Sequence, residues 1–182
     1  CLTTPKDPSE AVQEGVGELK KRISGCVEKL DQVIHGTTLV INSIIERKGA
    51  KTGLVTTKGF RDILEIGRER RYDNYDCFAE YPVPLVPRPL RKEVDERIYS
   101  NGEVLKALEN EEVARVLEEF IEEGIESLAV SFLHAYENGA HEVLVKEVLK
   151  RRAPGVEISV SSEVLPEIRE YERTSTTVAN AY

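Results

Sequence analysis

The sequence predicts an α/β layered domain, a mixed sheet covered by helices, on three observations. Helix-spaced and strand-like stretches alternate along the chain. Hydrophobic residues make up 40% and charged residues 32% of the 182 positions, enough for a core and far from the signature of disorder. No internal repeat, coiled-coil heptad or low-complexity tract argues for another architecture.

Taken in order, Asp7-Pro8-Ser9-Glu10 supplies an N-cap, a proline at the first helical position and a glutamate three residues after the cap. Val12, Val16, Leu19 and Ile23 then form one apolar stripe, which ends near Gly25. Asp31 to Ile34 reads as a short strand entering the turn His35-Gly36-Thr37-Thr38, followed by a helix through Leu39, Val40, Ile41, Ile44 and Ile45 that Gly49 can terminate. Thr52 to Thr57 is rich in β-branched residues and predicts a strand, with a short helix through Phe60, Ile63 and Leu64 after it. Four of the eight prolines crowd into 82–89 and mark an irregular excursion over about 72–92.

Further along, Arg97–Tyr99 and Val104-Leu105 flank Ser100-Asn101-Gly102-Glu103, where the Asn-Gly pair predicts a hairpin with positive φ angles. Val113, Val116, Leu117, Phe120 and Ile121 predict a helix, Ser127–Phe132 a buried strand, Val143, Leu144 and Val148 a helix, and Val156–Val160 a strand. Val164, Ile168, Tyr171, Ser175, Val178 and Tyr182 keep helical spacing to the last residue. Both ends read as cut, with Cys1–Pro5 like the tail of a strand entering a helix, so 1–182 is expected to be one incomplete domain.

Charge and motif content exclude several functions. Net charge is −8, with 25 basic residues scattered among 33 acidic ones, so no nucleic-acid partner is expected. No apolar run approaches the roughly 20 residues that span a bilayer, and no membrane partner is expected. Cys1, Cys26 and Cys77 form an odd set without CxxC pairing, which suits a reducing, cytoplasmic location. A P-loop, GxGxxG, GxSxG and HExxH are missing from the sequence. His35, His134 and His141 have no metal-ligand spacing, so no metal ligands are assigned on this chain.

Three polar clusters remain as candidate sites. The first is His35-Gly36-Thr37-Thr38 with Asn42 one turn on, where amides at a helix start, hydroxyls and a glycine could cradle an anion. Equally, Thr37 could cap the helix and His35 satisfy a buried carbonyl. The second runs from Lys58 through Arg61 to Arg68, Arg70 and Arg71, able to hold carboxylate or phosphate or else to pair with Asp62, Glu65 and Glu69. The third, Glu170-Tyr171-Glu172-Arg173-Thr174-Ser175-Thr176-Thr177, places four hydroxyl residues within a helical pattern, where Thr174 or Ser175 could be an N-cap or part of a site.

These strings have a further meaning together. His35-Gly36-Thr37-Thr38 with Asn42, Glu46-Arg47-Lys48-Gly49-Ala50, Thr56-Thr57-Lys58-Gly59-Phe60-Arg61-Asp62, Phe132-Leu133-His134, His141-Glu142 and Glu170-Tyr171-Glu172-Arg173-Thr174-Ser175-Thr176 resemble, in order and spacing, the N-terminal region of the hydantoinase A and 5-oxoprolinase family. The resemblance implies a ribonuclease-H-like half of an actin-like ATPase, whose second domain closes the nucleotide cleft. It implies ATP and Mg²⁺ as companions of the full-length protein, with none bound to this fragment, and ring opening of a small cyclic amide such as hydantoin, N-methylhydantoin or 5-oxoproline through phosphoryl activation.

A partner resembling the hydantoinase B subunit is implied as well. Relatives in this family also include ATP-dependent ketone carboxylase subunits, and a non-catalytic scaffold subunit is a third reading. The family's opening phosphate-binding turn, of Asp-x-Gly-Gly-Thr type, would precede residue 1, so the fragment alone is expected to be inactive. By the same resemblance His35, Gly36, Thr37, Thr38 and Asn42 are placed near the cleft, with Arg61 nearby and Arg173, Thr174 and Ser175 toward the second domain.

Overall fold

The computed structural model describes residues 7–23, 25, 32, 34, 36, 38–70 and 73–182. The chain forms two compact units, Cys1–Thr38 and Leu39–Tyr182. In the first, helix α1 covers Pro8–Arg22, and its cap is the expected one: the Asp7 side chain accepts the Ser9 amide at 2.9 Å. Lys20, Lys21 and Arg22 in the last turn suit the negative end of the helix dipole. The Val12, Val16, Leu19 and Ile23 stripe is present and exposed. Of the expected strand over 31–34 only Gln32 and Ile34 are described, and neither lies in a strand.

The second unit opens with α2 (Leu39–Glu46). Its terminator is a correction to the sequence reading: Arg47, not Gly49, takes the left-handed conformation, at φ 55°. Lys48 N–H reaches the Ser43 carbonyl at 3.1 Å and Arg47 N–H the Ile44 carbonyl at 3.3 Å, a Schellman closure. Gly49 is small for another reason, because a Cβ there would collide with the Tyr182 ring.

A four-stranded sheet follows in the order β2-β1-β5-β6, built from β1 (Thr52–Thr57), β2 (Arg91–Val94), β5 (Ser127–Ser131) and β6 (Glu157–Val160). Every pairing within it is parallel. The antiparallel component expected of a mixed sheet sits apart, in a ribbon of β3 (Arg97–Ile98) and β4 (Val104–Lys106). At its turn only Gly102 takes positive φ, 83°, and Gly102 N–H closes on the Tyr99 carbonyl at 2.9 Å, so Asn101 keeps an ordinary backbone.

Helices cover both faces of the sheet. On one, α4 (Asn110–Glu122) and α5 (Ala140–Arg152) bury Val113, Val116, Leu117, Phe120, Val145 and Leu149 against Val55, Leu128 and Val130. Each of these side chains contributes about 1.5–3 kcal/mol of transfer free energy on burial. On the other, α3 (Ile63–Ile66) and α7 (Glu170–Ala181) pack over Leu54 and Ala129, with Leu64, Val178 and Ala181 making the contact. The alternation along β1 and β5 is the period-2 pleat, and the register pairs Leu54 with Ala129 and Val55 with Val130. Among the described residues no helix is long and apolar enough to cross a membrane.

Two elements depart from expectation. β2 was hidden because Arg91, Lys92 and Glu93 look like surface charges. Arg91 is buried, donating to the Val86 carbonyl at 2.9 and 2.7 Å and pairing with Glu65, while Lys92 meets Glu119 at 3.1 Å and Glu123 at 2.9 Å. The helical pattern from Val164 onward is two helices, α6 (Ser161–Val164) and α7, separated by Pro166 and by Arg169 at φ 85°. Consequently Thr174 and Ser175 sit within α7, not at its cap.

Gly53, central in β1, faces Phe120, and a Cβ there would lie 2.7 Å from a ring carbon. We expect Gly53→Ala to cost about 1–3 kcal/mol through overpacking, read as a lower urea midpoint. Adding Phe120→Leu should recover part of that loss, and a purely additive double variant would show that the two sites do not touch.

Candidate functional site

Parallel strands end together, and the direction of their exits decides where a crevice opens. From β1 the chain turns through α3 toward β2 on one side, whereas from the adjacent β5 it turns through α5 toward β6 on the other. The carboxyl ends of β1 and β5 therefore diverge at a topological switch point, where ligands of α/β sheets bind. A small pocket lies there, lined by Thr56, Thr57, Ser131 and Phe132 at the strand ends, Phe60 and Ile63 after β1, Leu133 after β5, and Glu170, Arg173 and Thr174 of α7.

Its hydroxyls follow from register. Thr56 is the parallel partner of Ser131 and of Glu93, so all three face α3 and α7 at the sheet's end. Ser131 Oγ and Thr174 Oγ1 share a hydrogen bond of 2.9 Å. Thr57 points to the opposite face, donating to buried Glu96 and accepting the Leu133 amide at 3.0 Å. Glu96 in turn holds His141 Nδ1 at 2.7 Å.

Behind the pocket stands a buried polar lattice. The Glu142 carboxylate accepts the Phe132 amide at 2.9 Å, the Ser161 hydroxyl at 2.6 Å and the Ser162 amide at 2.7 Å. Arg173 donates to the Phe132 carbonyl at 2.7 Å, the Glu167 carbonyl at 2.9 Å and Ser161 Oγ at 3.2 Å. The two side chains thereby grip the Phe132 residue at both its N–H and its C=O. Burial pushes the Glu142 carboxyl above the ordinary glutamate range, and the hydrogen bonds from Ser161, Phe132 and Ser162 only partly offset it. Desolvation likewise draws the Arg173 guanidinium below its usual value, against the attraction of Glu142 and Glu170.

The sequence-derived candidates divide. Arg173 and Thr174 line the pocket together. Ser175 faces a different, larger groove between α3, the proline-rich segment and α7, lined by Leu64, Arg68, Tyr81, Pro84 and Tyr171, and its hydroxyl donates to the Glu172 carbonyl at 3.1 Å. Arg61 is half-buried beside Glu93 at 4.0 Å, and the Glu93 carboxylate takes the Gly59 and Arg61 amides at 2.7 and 3.3 Å. That turn is thus filled by an internal carboxylate.

Of the cluster's other guanidinium groups, Arg68 pairs with Glu172 at 2.7 Å, while Asp62 is taken by Arg88 at 2.7 Å and Arg71 lies outside the described residues. Gly36 and Thr38 are exposed, and Asn42 is exposed on α2. His35 and Thr37 lie outside the described residues. Thr56, Ser131, Glu96, Glu142 and Ser161 were not singled out from sequence as site residues. The one available signal was hydroxyl residues closing two strands, Thr56-Thr57 and Ser131.

The profile of the hydantoinase/oxoprolinase N-terminal region matches residues 1–153. The chain belongs to the hydantoinase/oxoprolinase family. It is 34% identical over 99% of its length to caprolactamase subunit alpha of Pseudomonas jessenii, and covers 27% of that protein. The crystal structure of the ATP-dependent caprolactamase from that organism superposes on 99% of this chain with a TM-score of 0.84 at 34% identity, again over 27% of its own length. A nucleotide-free acetone carboxylase structure matches the whole chain with a TM-score of 0.82 at 26% identity and 28% of its length. The 5-oxoprolinase of Dictyostelium discoideum is 31% identical over 98% of the chain, which covers 16% of it. This family member therefore spans about a quarter of the caprolactamase subunit, and its sheet flanked by helices is the α/β fold of those structures.

The lattice behind the pocket carries a pH signature. A buried carboxyl raised above its unfolded value stabilises the fold in its protonated form, fully so below the ordinary glutamate range. That contribution is lost as pH rises through the elevated folded value. Urea denaturation at stepped pH should show wild-type stability falling relative to Glu142→Gln across this window. Wild-type stability rising relative to Glu142→Gln as pH increases would mark the charged form as the stabilising one.

Proposed function

We propose that the full-length protein containing this chain is an ATP-dependent cyclic-amide hydrolase, and that the chain supplies one wall of its cleft. The observation that carries the reading is the hydroxyl- and guanidinium-lined crevice at the β1–β5 switch point of a fold shared with ATP-dependent caprolactamase. Hydantoin, N-methylhydantoin and 5-oxoproline are the substrate class, since the relatives bear the names caprolactamase and 5-oxoprolinase.

A lactam carbonyl is a poor electrophile, and phosphoryl transfer from ATP to its oxygen creates a leaving group. That is the chemistry the nucleotide supplies when bound, with Mg²⁺ as its companion. The described residues fit a small acceptor group, not a whole nucleotide. Among them no three histidine, cysteine or carboxylate side chains group to hold a metal ion, so no step is assigned to one on this chain.

What the chain's own residues contribute is positioning. Arg173 and Glu142 fix the strand end that forms the floor, Thr56, Ser131 and Thr174 present hydroxyls, and Phe60, Ile63 and Leu133 supply the apolar part of the lining. The family resemblance also nominates the turn His35-Gly36-Thr37-Thr38, with Asn42, for holding an anionic group by its amides and hydroxyls. A partner subunit of the hydantoinase B type completes the enzyme, in keeping with the caprolactamase relative being a subunit alpha.

The acetone carboxylase match supports a second reading, a ketone carboxylase subunit. Phosphate release from ATP by the full-length protein, with and without partner subunit, separates them. A cyclic-amide hydrolase is stimulated by lactams without bicarbonate, whereas stimulation only by ketone plus bicarbonate selects the carboxylase. No release under either condition would reduce the protein to a scaffold. His35→Ala and Thr37→Ala should each abolish lactam-stimulated turnover while circular dichroism stays unchanged, and wild-type rates in both would remove this turn from the site.

A further inference from the structure

Thr56 is 1% exposed, lines the switch-point pocket, and its Oγ1 has no hydrogen-bond partner among the described residues. A buried hydroxyl left unmatched costs about 1–3 kcal/mol, so a protein that keeps one needs a reason. Valine has nearly the same shape and would remove the cost.

The groups around Thr56 share one property, a surplus of donors. The Ser131–Thr174 pair uses one of its two O–H groups on itself and leaves the other. Arg173 spends three of its five N–H groups on Ser161, Glu167 and Phe132, leaving one on each terminal nitrogen. Glu170, Arg173 and Thr174 belong to the first turns of the 12-residue α7, so the positive end of that helix faces the pocket. One group opposes them: the half-buried Glu170 carboxylate stands in the lining. The pocket, open on one side, has room for about one water-sized group.

We propose that this pocket is an oxyanion subsite that receives a single phosphoryl oxygen, with Thr56 as its dedicated donor, Ser131 or Thr174 as a second and Arg173 as the charge behind them. The inference deepens the reading of an ATP-dependent enzyme and rests on it for the source of the phosphoryl group. Terminal phosphate of a nucleotide, an inner phosphate, and free phosphate share this chemistry. Glu170 makes entry selective, because the ligand must outweigh a carboxylate at the rim.

The test uses the full-length protein and measures binding of inorganic phosphate, ATP and ADP calorimetrically, beside the melting temperature without ligand. Thr56→Val should melt at or above the wild-type temperature, because an unmatched hydroxyl is gone, yet bind phosphate and ATP about tenfold or more weakly. Thr56→Ser, which keeps the O–H, should restore binding. Glu170→Gln should tighten phosphate about threefold by removing the opposing charge. Thr174→Val serves as an independent second variant with the same sign as Thr56→Val.

Weakening of ATP and phosphate with ADP unchanged assigns the oxygen to a terminal phosphoryl group, and equal weakening of ADP assigns it to an inner one. Unchanged affinities in Thr56→Val and Thr174→Val would mean that the pocket holds solvent only, and the proposal falls. It falls as well if the wild type binds none of the three. Lactam-stimulated turnover that survives Thr56→Val intact overturns the subsite alone. Weakened phosphate binding without any lactam-stimulated turnover overturns the hydrolase reading and leaves the subsite standing.

Discussion

The grip on Phe132 is the constraint from which the site follows. Its amide is held by Glu142 from α5 and its carbonyl by Arg173 from α7, so helices on opposite faces of the sheet meet at one residue just past β5. Ser161, which opens α6, bridges the two side chains and ties in the end of β6. Without that lattice the Phe132 peptide would lose the bonds that fix its N–H and C=O, and the pocket floor would be less sharply defined. Buried ionic groups are costly, and one partner removed leaves the other uncompensated. Their presence here is accounted for by precision at a strand end, where apolar packing would set position less sharply.

The same sheet uses two chemistries along its length. At the level of Leu54, Val55, Ala129 and Val130 it is an apolar core on both faces. One or two residues further, Glu93, Thr56 and Ser131 lie in register on one side and Thr57 turns toward Glu96 and His141 on the other. Stability resides in the lower layers, and the polar layer spends some of it on orientation. Ala129 and Ala181 let α7 lie close to the strands, which is why helix hydroxyls such as Thr174 can reach strand hydroxyls at all.

Local pattern revealed most elements and few of the site's members. Thr52–Thr57 and Ser127–Phe132 were readable because buried parallel strands are runs of β-branched and small residues, and α4 because its apolar residues fall on one stripe. β2 was not readable, since Arg91 and Lys92 are neutralised by Glu65, Glu119 and Glu123, residues distant in sequence. Pro166 was the overlooked sign that the pattern after Val164 is interrupted. Arg173 and Thr174 stand out within a hydroxyl-rich helical stretch and are placed at the cleft only through the family's motif. Glu142 stands with His141 in the family's motif without an assigned role, and only the tertiary fold shows that it is fully buried.

One further consequence lies in the bond between Ser131 and Thr174. Either oxygen can be the donor, so the spare hydrogen sits on the strand in one arrangement and on the helix in the other. Passing between them needs only torsional rotation of two light atoms, with the carbon skeleton at rest. The crevice can therefore reorient its dipole far faster than any loop could close, without rebuilding its walls.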